Sequence, residues 1–486
     1  HILSTRLFMA KSHHCRVLLY RLGIFQSCCK TKTRRWKYLS FACPMPRRCG
    51  NDVHGGEEIE FRPRADCRSL SSHESGQSFA RRTDELMANL NLSMINLRLA
   101  VFVCVVVIVL GISAVSAAQT VPLTFFDMQM EKGIVTGEPW PVDSFAGTRL
   151  WSSGANWNLI NTSPGQYDWS MLDAWLAAAK RNNIDVQYTF GETPSWASSK
   201  PNDSHCAQHG GAPTGSCDPP NDLNADGTGS NQHWKDFVTA IATRSAGRIH
   251  YWEIWDEASN PLRWVGTNAQ MLRLASDART IILGIDPTAV ILTPSSGIVD
   301  AVELNWWTKY LQAGGGQYAD VIAYHGYVQQ ANHTPVPEDL IKYVTKLKTI
   351  LKQYGQSGKP LHDTESSWGD GSCCNFTDPD LQAGFTARIV LMHWLVGTQR
   401  FYWFVWNDSP AGTLWQADPH DITLPGTLLK PGIAYQQIYE WMAGYSVDQT
   451  CTTKGPVWAC NLTGSNGYQG QIVWDTSQTC KAGTCT

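Results

Sequence analysis

Residues 249–261 read IHYWEIWDEASNP, and the fold turns on how this stretch is parsed. Its first half, Ile249–Trp255, alternates bulky apolar side chains with polar ones, the period of a half-buried strand. Asn260-Pro261 then supplies a turn signal. Three acids, Glu253, Asp256 and Glu257, crowd the end of that strand, and unpaired carboxylates are too costly to bury together. A helical pattern, NAQMLRLASDARTIILG, follows from Asn268. The stretch is therefore the β half of a βα unit whose strand ends in carboxylates.

The same unit recurs along the chain. Strand-like runs are expected at Leu123–Met130, Gly147–Trp151, Asp185–Phe190, Ile249–Trp255, Ala289–Pro294, Asp320–Tyr327, Pro360–Glu365 and Arg400–Trp406. Helical patterns fall between them. SMLDAWLAAAKRN sets Leu172, Trp175, Leu176 and Ala179 on one face, and HWKDFVTAIATRS, PEDLIKYVTKLKTILKQYG, PDLQAGFTARIVLMHWLVG and GIAYQQIYEWMAG repeat the period. Strands alternating with helices imply a parallel sheet, and eight such units imply a closed (β/α)8 TIM barrel. A doubly wound open sheet is the competing architecture, and the lack of a glycine-rich phosphate loop after the first strand counts against it. The segment SSKPNDSHCAQHGGAPTGSCDPPNDLNADGTGS is a long loop after the third strand.

Charge divides the chain. Residues 1–93 carry 16 Lys+Arg and 8 Asp+Glu, whereas the remainder carries 23 and 34. The basic part lacks apolar periodicity, and we read 1–93 as a non-native or disordered leader, with Met94 or Met87 as the true start. From Met94, MINLRLAVFVCVVVIVLGISAVSAAQT has the layout of a secretory signal peptide: Arg98, an apolar run from Leu99 to Ile112, and small residues at Val115–Ala118. A membrane anchor retained over 97–117 is the alternative, although the run is short for a span of about 20 residues. The acidic remainder argues against a nucleic-acid partner.

Eight cysteines follow residue 118, an even number that suits an oxidising compartment. The simplest pairs are Cys206 with Cys217, Cys451 with Cys460 and Cys480 with Cys485, leaving adjacent Cys373 and Cys374. Sequons stand at Asn161, Asn202, Asn332, Asn375 and Asn461. No cysteine or histidine spacing suggests zinc, and no cofactor is expected. A domain of residues 119–444 carries the barrel. After Gly444 the texture changes, and VWACNL and QIVWD read as a hairpin in a small β segment, 445–486, whose abrupt end at Thr486 suggests missing sequence.

Active sites of (β/α)8 barrels lie at the C-terminal ends of the strands. Polar residues at those ends are Arg149 on the second strand, Glu192 after the third, Asp256 and Glu257 after the fourth, His325 and Tyr327 on the sixth, and Glu365 on the seventh. Trp403 and Trp406 are on the eighth. Two carboxylates facing each other across a pocket can cleave a glycosidic bond, one protonating the leaving oxygen and the other attacking carbon or activating water. Glu253 lies further down its strand and reads as a buried partner of a basic residue. Trp403 reads as core packing, Trp406 as the pocket tryptophan, and Glu192 as either a substrate contact or a loop residue. A metal site from His325, His362 and Asp363 has no recognisable ligand spacing.

WEIWDE resembles the W-E-I-W-N-E signature ending strand four in the clan-A superfamily of retaining glycoside hydrolases. DTESSWG and YHGY resemble its strand-seven and strand-six segments. With GQYDWSMLDAWLAAAKRNNIDVQYTFGETPSWAS, residues 121–444 are most similar to glycoside hydrolase family 39 or a relative. The resemblance implies Glu257 as general acid/base and Glu365 as nucleophile. It further implies Tyr327 hydrogen-bonded to Glu365, Arg149 beneath it, His325 lining the pocket and Trp406 as a sugar platform. The expected partner is a carbohydrate substrate, met outside the cell. One departure stands out: the superfamily has Asn before the acid/base, and this chain has Asp256. An ionised Asp accepts a hydrogen bond but cannot donate one, and its charge is expected to raise the pKa of Glu257. A barrel that binds carbohydrate without cleaving it is the alternative that this departure motivates.

Overall fold

Strand residues that are apolar and β-branched or aromatic, followed by amphipathic helices, build one closed sheet in the computed structural model. The structure describes residues 119–208, 212–328, 335–368, 378–407 and 412–477, with the short strands Cys480–Lys481 and Thr484–Cys485. The leader 1–93, the segment 94–118, the pair Cys373–Cys374 and the sequons at Asn332 and Asn375 lie outside the described residues.

After β1 (Gln119–Thr120), eight strands form the barrel: β2 (Phe126–Gln129), β3 (Gly147–Leu150), β4 (Asp185–Thr189), β5 (Tyr251–Glu253), β6 (Val290–Leu292), β7 (Ile322–Tyr324), β8 (Leu361–Ser366) and β9 (Thr398–Trp403). Every pairing is parallel, and β9 returns to β2 through Phe126↔Phe401. Two parallel bridges, Leu292↔Val321 and Gly297↔His325, span the remaining seam between β6 and β7. The sheet is a (β/α)8 barrel.

Two elements differ from expectation. The run Leu123–Met130 becomes strand only at Phe126, because Leu123–Phe125 forms a 3-10 turn after Pro122, which has no N–H to give a ladder. Helix Ala301–Gln312 was not anticipated. Its Asp300 side chain accepts from the Glu303 N–H and Glu303 reaches back, a capping box. The helices otherwise sit where periodicity placed them, at Ser170–Asn182, Gln232–Ser245, Asn268–Ile285, Asp339–Gln353, Pro379–Leu395 and Lys430–Met442.

Helix Pro379–Leu395 is buried on nearly every side, its polar Asp380, Gln382, Thr386, Arg388 and His393 included, so it is covered all round. Its second cover is an antiparallel sheet formed by β12 (Ser446–Val447), β13 (Thr452–Lys454), β14 (Val457–Thr463) and β15 (Gln469–Asp475), which follow the short pair β10 (Trp415–Gln416) and β11 (Thr427–Leu428). On β14 and β15 the alternate residues Cys460, Leu462, Ile472 and Trp474 are buried. Trp394 donates to the Val447 carbonyl at 3.2 Å and Trp474 to Glu338 at 2.7 Å. A lone hairpin would be marginal; β1 adds a strand, pairing Gln119 with Val447.

Disulfides join Cys206 to Cys217, inside the long loop after β4, and Cys451 to Cys460 beside β14. Among the sequons, Asn161 is buried, and its amide donates to Ser163 and Gln166 carbonyls, so that triplet is no acceptor. No helix among the described residues is long and apolar enough to cross a membrane.

Candidate active site

The C-terminal ends of β2, β5 and β8 converge on the guanidinium of Arg149 from β3, which is completely buried. Nε and Nη2 fork onto Glu253 at 3.0 and 3.1 Å. Nη2 also donates to Asp256 at 2.7 Å, and Nη1 to Glu365 at 2.6 Å and Gln129 at 3.1 Å. Glu253, with no exposed surface, further accepts from Gln187 at 2.8 Å and Thr189 at 3.0 Å. All its acceptor capacity is spent inside the barrel, so it fixes Arg149 rather than meeting a ligand.

Glu365 keeps its other oxygen toward the pocket, where the Tyr327 hydroxyl donates to it at 3.0 Å. The intervening Gly326 is a requirement of this placement, since a Cβ there would lie 2.4 Å from the Asp363 carboxylate. Asp363 itself is turned to Ser366 and His393, and His362 rests its ring near Tyr251 at 5.8 Å. His325, His362 and Asp363 therefore do not converge on a common centre.

Glu257 follows β5 in the left-handed region, at φ +40°, a conformation that costs a non-glycine residue about 1–3 kcal/mol. Its N–H donates to the Ser295 hydroxyl at 3.1 Å, Asn260 donates to one carboxylate oxygen at 2.9 Å, and His325 Nδ1 meets the other at 3.2 Å. Carboxylate oxygens of Glu257 and Glu365 and a ring nitrogen of His325 all lie within 4.8 Å of one another. A small cation would fit that spacing, and so would the Glu253, Asp256 and His325 donors. Arg149 already occupies three of these carboxylates with a fixed positive charge, which disfavours a second cation.

Electrostatics distribute the protons unevenly. Burial alone would raise the Glu257 pKa. The His325 hydrogen bond and charge, with Arg263 and Asn260, outweigh it and hold the carboxyl below its ordinary value. Burial would lower His325, but the hydrogen bond to Glu257 and the charge of Glu365 push it up to about 9. The proton of this pair thus rests on the imidazole. The expectation that Asp256 would raise Glu257 is thus reversed by His325, Arg263 and Asn260, while Asp256 is engaged by Arg149 and lies 3.3 Å from Arg263 Nε. Asp256 itself is pushed up to about 7 by burial, with Arg149 and Arg263 pulling the other way.

Glu192 lies outside this cluster, at φ +60° after β4. Burial raises its pKa, opposed by the charge of Arg263 and the side-chain hydrogen bonds of Asn156 and Asn158. Trp406 is 1% exposed and stacks parallel to Trp415, with ring centres 6.0 Å apart. Trp403, also buried, donates to the Gly412 carbonyl at 2.8 Å. Sequence reasoning missed Arg263, whose guanidinium lies 5.1 Å over the Trp151 ring, as well as Asn260 and Ser295. A lone arginine six residues past an acidic strand end was the one available signal for Arg263.

Neither a protein-family model nor a curated protein matches the amino-acid sequence. Solved structures do share the fold. A family 39 glycoside hydrolase from the gut symbiont Bacteroides cellulosilyticus WH2 superposes with TM-score 0.51 at 15% identity, over 74% of this chain and 72% of that one. A glucosidase from Croceicoccus marinus gives TM-score 0.50 at 14% identity, over 71% and 76%. The likeness is one of fold: the chain shares its (β/α)8 barrel with these two solved structures.

Proposed function

We propose that the protein is a retaining glycoside hydrolase acting on oligo- or polysaccharides, with Glu257 as acid/base and Glu365 as nucleophile. The observation that carries this reading is that a carboxylate oxygen of Glu257 and one of Glu365 lie within 4.8 Å of each other, a proximity compatible with a retaining pair. Retaining enzymes hold the pair about 5–5.5 Å apart, whereas inverting enzymes need roughly 6.5–9.5 Å to admit a water. In the first step Glu365 attacks the anomeric carbon while Glu257 protonates the departing oxygen. The free site stores that proton on His325, hydrogen-bonded to Glu257 at 3.2 Å. Water deprotonated by Glu257 then releases the sugar from Glu365 with net retention. Asp256, His325 and Tyr327 would stand around the sugar, while Arg149 and Trp406, 0% and 1% exposed, would back the site without touching it and Glu192 lies outside the cluster. No cofactor enters these steps.

Incubation with a panel of 2-fluoro glycosides, followed by peptide mapping, tests the assignment. A glycosyl adduct on Glu365 is expected. An adduct on another carboxylate, or inversion at the anomeric carbon of a turned-over substrate, would sink it. Asp256, standing where the superfamily has Asn before the acid/base, motivates a second reading, a carbohydrate-binding barrel without turnover. Saturable binding of glycans with no hydrolysis across the panel would select that reading. Export through the 94–118 segment fits the two disulfides, which persist in oxidising compartments.

A further inference from the structure

We propose that Asp363 and His393, a pair sealed between the barrel wall and helix Pro379–Leu395, are positioning residues that aim Glu365 into the pocket. The proposal rests on the reading of Glu365 as nucleophile and adds the device that sets its direction.

Side chains of a regular strand alternate between faces. Asp363 and Glu365, two apart, would then share a face, and Ser366 would take the other. The structure has the reverse. Asp363 pairs with Phe401 and Ser366 with Trp403, three steps along β8 against two along β9, which is the count of a bulge with one extra residue. Asp363 and Ser366 are thereby brought to one face, where the Ser366 hydroxyl donates to Asp363 Oδ2 at 2.8 Å. Glu365 is turned to the other, onto Arg149 and Tyr327. Regular pairing here would send the Glu365 carboxyl toward the helices, since a one-residue slip moves side chains to the opposite face.

A bulged residue drops out of the ladder, and its buried N–H needs another acceptor. Asp363 Oδ1 supplies it, accepting from the Glu365 N–H at 3.2 Å. One carboxylate therefore ties down both residues of the bulge. His393 holds that carboxylate from behind, with Nε2 2.5 Å from Oδ2 and Nδ1 2.7 Å from the Ile389 carbonyl. Its ring lies nearly parallel to Phe401 with centres 4.1 Å apart, and to Tyr324 at 6.5 Å. A Cβ on Gly326 would come 3.1 Å from His393 Nε2, so the pair also backs the chain between His325 and Tyr327. Neither Asp363 nor His393 has exposed side-chain surface, and both act only through the residues they hold.

The test separates aim from stability. The 2-fluoro glycoside that labels the parent is used on the full chain, and its trapping rate constant and its binding constant are measured separately. Mass spectrometry gives the fraction labelled, and melting curves give stability. Asp363→Ala frees the Glu365 N–H and should slow trapping by about 100-fold, as a misplacement of about 1 Å does, with the binding constant little changed. Asp363→Asn keeps an acceptor for that N–H and a donor for His393 Nε2, and should recover most of the rate. Arg388→Gln, which breaks the Glu338 ion pair on the same helix, should lose stability without losing rate. If Asp363→Ala does not fold, Ser366→Ala removes one tether with a single-atom truncation, and an intermediate slowing is expected. Trapping at the parent's rate in the folded fraction of Asp363→Ala, or of Ser366→Ala in its place, overturns the proposal. So does an Asp363→Asn variant no faster than Asp363→Ala, which would put the effect in lost charge rather than aim. Either result, with the parent labelled at Glu365, leaves the nucleophile reading standing. No label on Glu365 in the parent would remove both.

Discussion

Two buried arginines sit at opposite ends of the barrel, and they are built alike up to a point. Near the N-terminal ends, Arg400 forks onto Asp127 at 2.6 and 2.8 Å and donates once to Asp185 at 2.8 Å. Its guanidinium also lies 4.6 Å over the Tyr251 ring. Gly147 opens β3 there, and a Cβ on it would come within 2.5 Å of that guanidinium. At the C-terminal ends, Arg149 forks onto Glu253 in the same way. Glu253 is to Arg149 what Asp127 is to Arg400, a dedicated counter-ion. The difference is what remains: Asp185 is partly exposed, whereas Arg149 also holds Asp256 and Glu365, facing a pocket. Surplus negative charge collected away from water is costly unless paired, and here Arg263 and protonated His325 offset it. One end of the barrel is closed by its ion pairs, and the other leaves Glu257 and Glu365 partly exposed.

The largest effect that would test this contrast is at Glu365. Glu365→Gln should lower kcat on the best glycoside by on the order of 10⁴-fold or more, as loss of a nucleophile does, while thermal stability changes little. Retained turnover would mean that the charged end of the barrel is structural after all.

Next in size are the arginines. Breaking a buried pair by removing one partner costs about 3–5 kcal/mol, so Arg149→Met and Arg400→Met should both lower the denaturation midpoint clearly. They should part in kinetics. The folded fraction of Arg400→Met is expected to keep its kcat, whereas Arg149→Met loses it with Glu365 unanchored. Equal kinetic damage in both would erase the distinction between the two ends.

These contrasts also show where sequence was a good guide. Strand ends were legible because alternation fixes which residues leave the barrel wall, and Glu257, His325, Tyr327 and Glu365 all come within one pocket. Helix Ala301–Gln312 was legible too, in Asp300 followed by Glu303, and was passed over. Arg263, Asn260 and Ser295 were not, since each is placed by the path of a loop rather than by a periodic element. Trp406 was legible as a strand-end aromatic, but its stacking on Trp415 depends on where β10 falls. The sense of the Glu257 shift depended on His325, remote from it in sequence, and on Arg263, six residues on in a loop with no periodic relation to it.

A third effect is read in pH. With His325 holding its proton up to about 9, the pair can supply a proton below that pH and loses it above. Turnover is therefore expected to fall on the alkaline side around pH 9. Titrations of coupled groups belong to the pair, so His325→Gln should move this limb toward lower pH as well as reduce kcat. An alkaline limb that stays in place in His325→Gln would show that the proton is held elsewhere.

The smallest effect concerns the one departure from the superfamily motif. Asp256 is pushed up to about 7 from an ordinary 3.8, so below pH 7 it is largely neutral. A neutral carboxyl presents a donor and an acceptor, as an amide does. Asp256→Asn and the parent should then agree in kcat/KM within about threefold at pH 5–6. Above pH 7 the parent gains a charge beside Glu257 that the variant lacks, and the two profiles should separate. Stability supplies a second readout with its own sign. A carboxyl whose folded pKa is raised binds more protons folded than unfolded between pH 4 and 7, so the parent loses stability as pH rises through that window. Asp256→Asn carries no such dependence, and its advantage in melting temperature should widen from pH 4 to pH 7. Parallel kinetic profiles together with a constant difference in melting temperature would mean that Asp256 stays ionised throughout, clamped by Arg149 and Arg263. The reacting end of the barrel would then be as fully compensated as the closed one.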